Sequence, residues 1–156
     1  MDKVQRECFE AMKHAVVYAD WRQAAAELDR REGLDEWRDQ DASDDYDWRL
    51  IRSRLRQIAQ YRAEGAHRKL INHLRQGLHW NLGNTGNPAL YSVARVGTKK
   101  LIHQYLEAVC GALEFVSELP EADFAHGEKL RFFHDVALSY GRSALMLSGG
   151  ATLGLF

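Results

Sequence analysis

Tyr46-Asp-Trp-Arg-Leu-Ile-Arg-Ser-Arg-Leu-Arg-Gln-Ile-Ala-Gln-Tyr61 decides the fold class. Its apolar members Tyr46, Leu50, Ile51, Leu55, Ile58 and Tyr61 recur at steps of three and four, with arginines filling the gaps. That spacing lays one apolar stripe along a helix and turns a basic face outward. The helix is expected to end near Gly65.

Read outward from this segment, the same period continues. Leu70, Ile71, Leu74 and Leu78 predict a second helix closing at Gly83. Upstream, Trp21, Ala24, Ala25 and Leu28 follow Asp20, which with Gln23 fits a capping pattern, and Gly33 is the stop. Asp2 and Gln5 repeat that pattern near the N-terminus. Downstream, Asn81-Leu-Gly-Asn-Thr-Gly-Asn-Pro88 is dense in residues that tolerate turns and left-handed backbone, so it reads as a loop of the sort that carries sites. Leu101, Ile102, Tyr105, Val109, Leu113 and Val116 form another stripe, with Thr98 as cap and Pro120 as terminator. The last helix runs from about Phe124 to Tyr140, with Leu130, Phe133, Val136, Ala137 and Tyr140 on its apolar side. The fold class is mainly α.

The tail differs in kind. Ala144-Leu-Met-Leu147 is a continuous apolar run, suited to a strand covered on both faces. Ser148-Gly-Gly-Ala-Thr-Leu-Gly154 follows it. A strand, a glycine turn and a helix start leave several backbone N–H groups on one side, a geometry that binds a phosphate or the oxyanion of acyl transfer. The stretch lacks the Gly-Lys-Ser/Thr ending of a phosphate loop and misses the Gly-x-Gly-x-x-Gly spacing. An ordinary tight turn is the plain alternative. A lone strand needs neighbours for its backbone groups, so the expectation is an α/β fold cut at its first loop, with self-association through the orphan strand.

The chain has 156 residues and a net charge of −1 that hides an asymmetry. Acids dominate from Glu27 to Asp47 and bases from Arg49 to Arg75. The basic stretch suits phosphates, or pairing with the acidic segment beside it. No zinc, RNA-binding or helix-turn-helix signature accompanies it, so no nucleic acid is expected. Trp48, Tyr61 and Trp80 interleave with the basic residues as at a membrane interface, or they are core. Two distant cysteines, Cys8 and Cys110, point to a reducing compartment, and no signal peptide or membrane span is read. The expected location is cytoplasmic, peripheral to membranes. Cys110 beside Val109 reads as core. His67, His73 and His79 recur every six residues, about 240° around a helix, so they do not converge on a metal and read as surface or satisfied side chains. No cofactor is expected.

Several motifs in series carry a resemblance: Trp21-Arg-Gln-Ala-Ala-Ala-Glu-Leu-Asp29, Gly33 to Trp37-Arg38, Tyr46-Asp47 to Arg54-Leu55, Asn81-Leu-Gly83 with Asn87-Pro-Ala-Leu-Tyr91, Gly97-Thr-Lys99 with Leu101-Ile102 and Tyr105, and Phe132-Phe133 to Gly150. From about Asp20 to Phe156 the chain resembles the N-terminal helical domain of patatin-like triacylglycerol lipases, a domain of unknown function placed ahead of a patatin catalytic domain. The resemblance implies residues 1–19 as an N-terminal helix, 20–140 as the helical domain and 141–156 as the start of the catalytic domain. It implies a lipid acyl hydrolase with a Ser-Asp dyad, whose oxyanion loop maps to Gly149, Gly150, Ala151 and Gly154. Alanine replaces a glycine common in that loop, and Leu153 stands where a basic residue is frequent; neither removes a backbone donor. No Gly-x-Ser-x-Gly elbow occurs. Ser143 precedes the strand, so it does not serve as nucleophile, and the Asp-Gly dipeptide is absent. The chain alone is therefore expected to be inactive, its partners the missing catalytic domain and a lipid or membrane surface. The alternative is a stand-alone helical interaction or membrane-interface module.

Overall fold

The computed structural model describes residues 3–77 and 81–140. Among them seven α-helices form, α1 Lys3–His14, α2 Tyr18–Arg31, α3 Leu34–Asp39, α4 Trp48–Ala63, α5 His67–Gly77, α6 Lys100–Glu118 and α7 His126–Tyr140, with short 3₁₀ turns at Leu82–Asn84 and Pro88–Tyr91. The helix predicted from the arginine-rich stretch is α4. The carboxylate of Asp47 accepts from the Leu50 N–H at 3.0 Å and closes its first turn, satisfying a donor that has no partner inside the helix. Tyr46, just ahead, is buried. Its hydroxyl donates to the Asp41 carbonyl at 2.7 Å, and burial pushes the phenol up to about 12.

The stripe does what its spacing predicts. Ile51 and Ile58 of α4, Leu70, Ile71 and Leu74 of α5, and Leu101, Ile102, Tyr105, Val109, Ala112 and Val116 of α6 share one buried apolar cluster with Leu90, Phe124 and Phe132. Trp48 and Tyr61 are half-buried against it, so these aromatics serve the core. Each fully buried aliphatic or phenyl side chain contributes about 1.5–3 kcal/mol, whereas an exposed ion pair contributes about 1 kcal/mol at most. Apolar burial therefore places α4, and the charge asymmetry is secondary. Arg52 pairs with Asp41 across the acidic and basic segments. Arg62, Arg68 and Arg75 lie over the rings of Phe115, Phe124 and Phe132.

Several boundaries differ from the sequence reading. α2 begins at Tyr18, two residues before Asp20, and its N-cap Val17 offers no side-chain acceptor. α3 forms inside what reads as an acidic link; six residues are too few for a period to declare itself. α5 is described as far as Gly77, and the expected Leu78 lies outside the described residues; a Cβ on Gly77 would run into the Arg54 guanidinium, so the missing side chain lets that arginine cross beneath the helix. Gly83, at φ 62°, belongs to the following 3₁₀ turn, and its carbonyl accepts from the Asp47 N–H at 2.8 Å. Lys99, not Thr98, is the N-cap of α6.

Cys110 is exposed, because it lies one position round the helix from the inward-facing Val109. Phe124 precedes α7, and Phe132 is its buried residue, packed edge-on against Phe124 and Phe133. Leu130 is 61% exposed. The expected stripe holds in part: Phe133 and Val136 pack against the core, Leu130 and Ala137 face outward, and Phe132 takes the most buried place, against Phe124. No strand forms among the described residues, where Ala94 and Gly97 make an isolated bridge. The predicted strand Ala144–Leu147 lies outside them.

Candidate functional site

The densest polar constellation among the described residues joins the C-terminal end of α2, helix α3 and the segment leading into α6. Asp29 is fully buried because it follows Leu28 on the inward face of α2. One of its carboxylate oxygens accepts from the backbone N–H groups of Arg95 and Val96, each at 2.9 Å. The other accepts from Arg95 Nη1 at 2.9 Å. The same guanidinium donates to Glu32 at 2.7 Å and 3.1 Å. Glu32 first and Asp29 second raise the arginine pKa above its ordinary value. A buried carboxylate is costly unless charge and hydrogen bonds answer it, and here both do.

Gly97, at φ 115°, turns the chain into the next two buried residues. A Cβ on it would meet His103 Nε2 at 2.8 Å, and the Thr98 N–H donates to that nitrogen at 3.3 Å. Arg38 Nε donates to the Thr98 carbonyl at 3.2 Å. Lys99 is 1% exposed. Its Nζ donates to the Trp37 carbonyl at 2.7 Å and sits 4.1 Å from the Trp37 ring centroid, while burial lowers its pKa from the ordinary value. The Gly97-Thr-Lys99 motif thus fastens α3 to α6 by main-chain and cation–π contacts.

The chemistry of this constellation is positional. Asp29 and Glu32 are committed to Arg95, Lys99 is sealed under Trp37, and the buried Thr98 hydroxyl has no hydrogen-bond partner among the described residues. A groove of about 300 Å³ next to it is lined by Arg22, Arg38, Lys100, His103 and Glu107 among others. Asp35 lies 3.7 Å from Arg38 and Asp39 2.6 Å from Lys100, so two of its three arginine and lysine cations are already answered. Among the described residues no group of His, Cys, Asp or Glu is arranged to hold a metal, and no helix is long and apolar enough to cross a membrane.

The loop Asn81–Pro88 spends its polar groups on itself and on the approach to α4. Asn84 and Asn87 side-chain amides donate to the Asp45 carbonyl at 2.8 Å and 3.0 Å, and Asn87 Oδ1 accepts from the Ala89 N–H at 3.1 Å. It holds the entry to α4 in place. Of the three histidines, His67 approaches Asp123 at 3.5 Å, and His79 lies outside the described residues. His73 is buried, unlike the surface or satisfied side chain expected. Its ring packs edge-on with Tyr61, and its Nε2 has no hydrogen-bond partner among the described residues. Burial, with the Arg54 charge, lowers its pKa below the usual histidine value.

The expected oxyanion loop, Gly149, Gly150, Ala151 and Gly154, and Ser143 lie outside the described residues. Sequence reasoning missed two things within them. The pairing of Asp29 with Arg95 spans 66 positions, although both motifs that flank it were visible. The second is the α1–α2 connection, where Val16 is 95%, Val17 54% and Tyr18 71% exposed. The unbroken apolar run Ala15-Val-Val-Tyr-Ala19 was the available signal.

Comparison with known proteins adds the following. The family model described as a domain of unknown function (DUF3336) matches residues 1–138. Triacylglycerol lipase ptl3 of Schizosaccharomyces pombe is 38% identical over 92% of this chain. Triacylglycerol lipase SDP1L of Arabidopsis thaliana is 36% identical over 93%, and a patatin-like phospholipase domain-containing protein of Cryptococcus neoformans is 33% identical over 93%. The chain spans 29%, 17% and 16% of the length of these relatives, respectively. No solved structure matches it.

Proposed function

We propose, because this chain belongs to the DUF3336 family, that it is the N-terminal helical module of a patatin-like lipid acyl hydrolase acting on acyl esters of triacylglycerol or phospholipid. The observation that carries this reading is the match of almost the whole chain to relatives bearing those names. The described residues fit a scaffold rather than a catalyst: the buried charges are spent on fastening helices together. In this reading Gly149, Gly150, Ala151 and Gly154 donate backbone N–H groups to the oxyanion, while the serine and aspartate belong to the catalytic domain.

A chimaera tests it. Residues 1–156 replace the corresponding segment of the Schizosaccharomyces pombe relative, and hydrolysis of a soluble short-chain nitrophenyl ester is measured. The chimaera is expected to retain activity that deletion of the segment removes, and the 156-residue chain alone to give no turnover. A chimaera no better than the deletion overturns the reading.

The second reading, a membrane-interface module, is favoured by the exposed apolar residues at Val16–Tyr18. It is compatible with the first, since a hydrolase of lipid esters works at a lipid surface.

A further inference from the structure

We infer that the α1–α2 connection with the helix ends that flank it, residues 14–22, is a lipid-inserting tip that seats on a phospholipid surface. The inference rests on the reading above and assigns the surface contact to a place other than the arginine-rich helix, whose aromatics pack on the core. Val16, Val17 and Tyr18 are successive in sequence and all exposed. Tyr18 stacks on Trp21, with ring centroids 5.9 Å apart at 19°, which gives the tip an aliphatic end with an aromatic pair behind it. Aliphatic side chains favour the acyl layer, and tyrosine and tryptophan favour the headgroup level.

Charge and area decide between occupants. Lys13 and Arg22 beside the tip are exposed, and so are the acids Glu10 and Asp20; His14 lies 3.4 Å from Glu10. With that histidine neutral the charges cancel. The tip therefore offers a nucleic acid or an acidic protein nothing to steer by, while a zwitterionic phospholipid surface requires no net charge. Three side chains on one turn also present far less than the roughly 800 Å² per partner of a stable protein interface. A lipid surface needs no matching shape, so a small apolar tip suffices there.

The test uses the 156-residue chain with phosphatidylcholine vesicles, read by co-sedimentation. Partitioning is expected to change less than about twofold between roughly 0.1 M and 0.5 M salt, because insertion is apolar and unscreened. The triple variant V16S/V17S/Y18S is expected to lose about tenfold or more in partitioning, while Leu106→Ser, at an exposed leucine on α6, leaves it unchanged. Circular dichroism of the triple variant confirms that its helices persist. Three results overturn the inference: no binding by the unaltered chain, equal binding by the triple variant, or light scattering that shows the same substitutions dissolving a self-association. Turnover of the soluble ester by the chimaera needs no vesicle, so failure here and failure of the functional reading are separable.

Discussion

The two ends of α2 invert the ordinary placement of residues. At its C-terminal end the helix buries a carboxylate, Asp29, against three donors of the Arg95–Val96 segment. At its N-terminal end it exposes Tyr18 behind two valines. The first inversion is explained within the chain, since the Asp29 carboxylate meets the Arg95 guanidinium and two backbone N–H groups. The second is not: nothing among the described residues covers the tip, and folding gains nothing from leaving it bare. A buried polar group that is fully answered speaks of stability, whereas an unanswered apolar one speaks of contact with something else.

Removing Asp29 tests that contrast most severely. Asp29→Ala strands two backbone donors and part of the Arg95 charge, and is expected to destabilise the chain by about 3 kcal/mol. Thermal melting should show a fall of roughly 6–12 °C. A loss within experimental error would mean that the buried carboxylate is not what holds α2 to the α6 approach.

His73 supplies an intermediate case, buried like Asp29 but without its compensation. Its pKa is lowered on folding, so the unfolded chain takes up a proton before the folded one does. Stability is full above the unfolded value of about 6.5 and falls as pH drops from there toward the folded value. Urea titrations across that window should show the decline, and His73→Phe should flatten it. An unchanged slope in the variant would assign the acid sensitivity elsewhere.

The smallest effect is expected at the tip. V16S/V17S/Y18S alters only exposed side chains, so its unfolding free energy should stay within about 0.5 kcal/mol of the parent. A loss of several kcal/mol in urea melts would show that the tip is packed, and the contrast between the two ends of α2 would collapse.

Much of the fold was legible because it is written in local spacing. Leu50, Ile51, Leu55 and Ile58 announce α4, and Leu101, Ile102, Tyr105 and Val109 announce α6, since a helix sorts its own residues by period. What failed was non-local. Leu130 looks as apolar as Phe132, and the contacts that favour Phe132, from the Phe124 ring and from Arg75, come from outside α7. Leu34 and Trp37 sit in a run of charges too short to show a stripe. The polar constellation was legible as marks and not as chemistry, because no spacing rule connects Asp29 with Arg95. The expected oxyanion residues fall beyond the described segments.

The Asp29 link has a consequence for the order in which the molecule assembles. The α1–α2 hairpin joins residues close in sequence and can form early, whereas the carboxylate must find N–H groups 66 and 67 positions away. Closing so long a loop is slow and entropically costly until the intervening chain is shaped. Loop-closure entropy therefore favours an order in which the hairpin docks as a finished unit after α4, α5 and α6 have shaped the intervening chain.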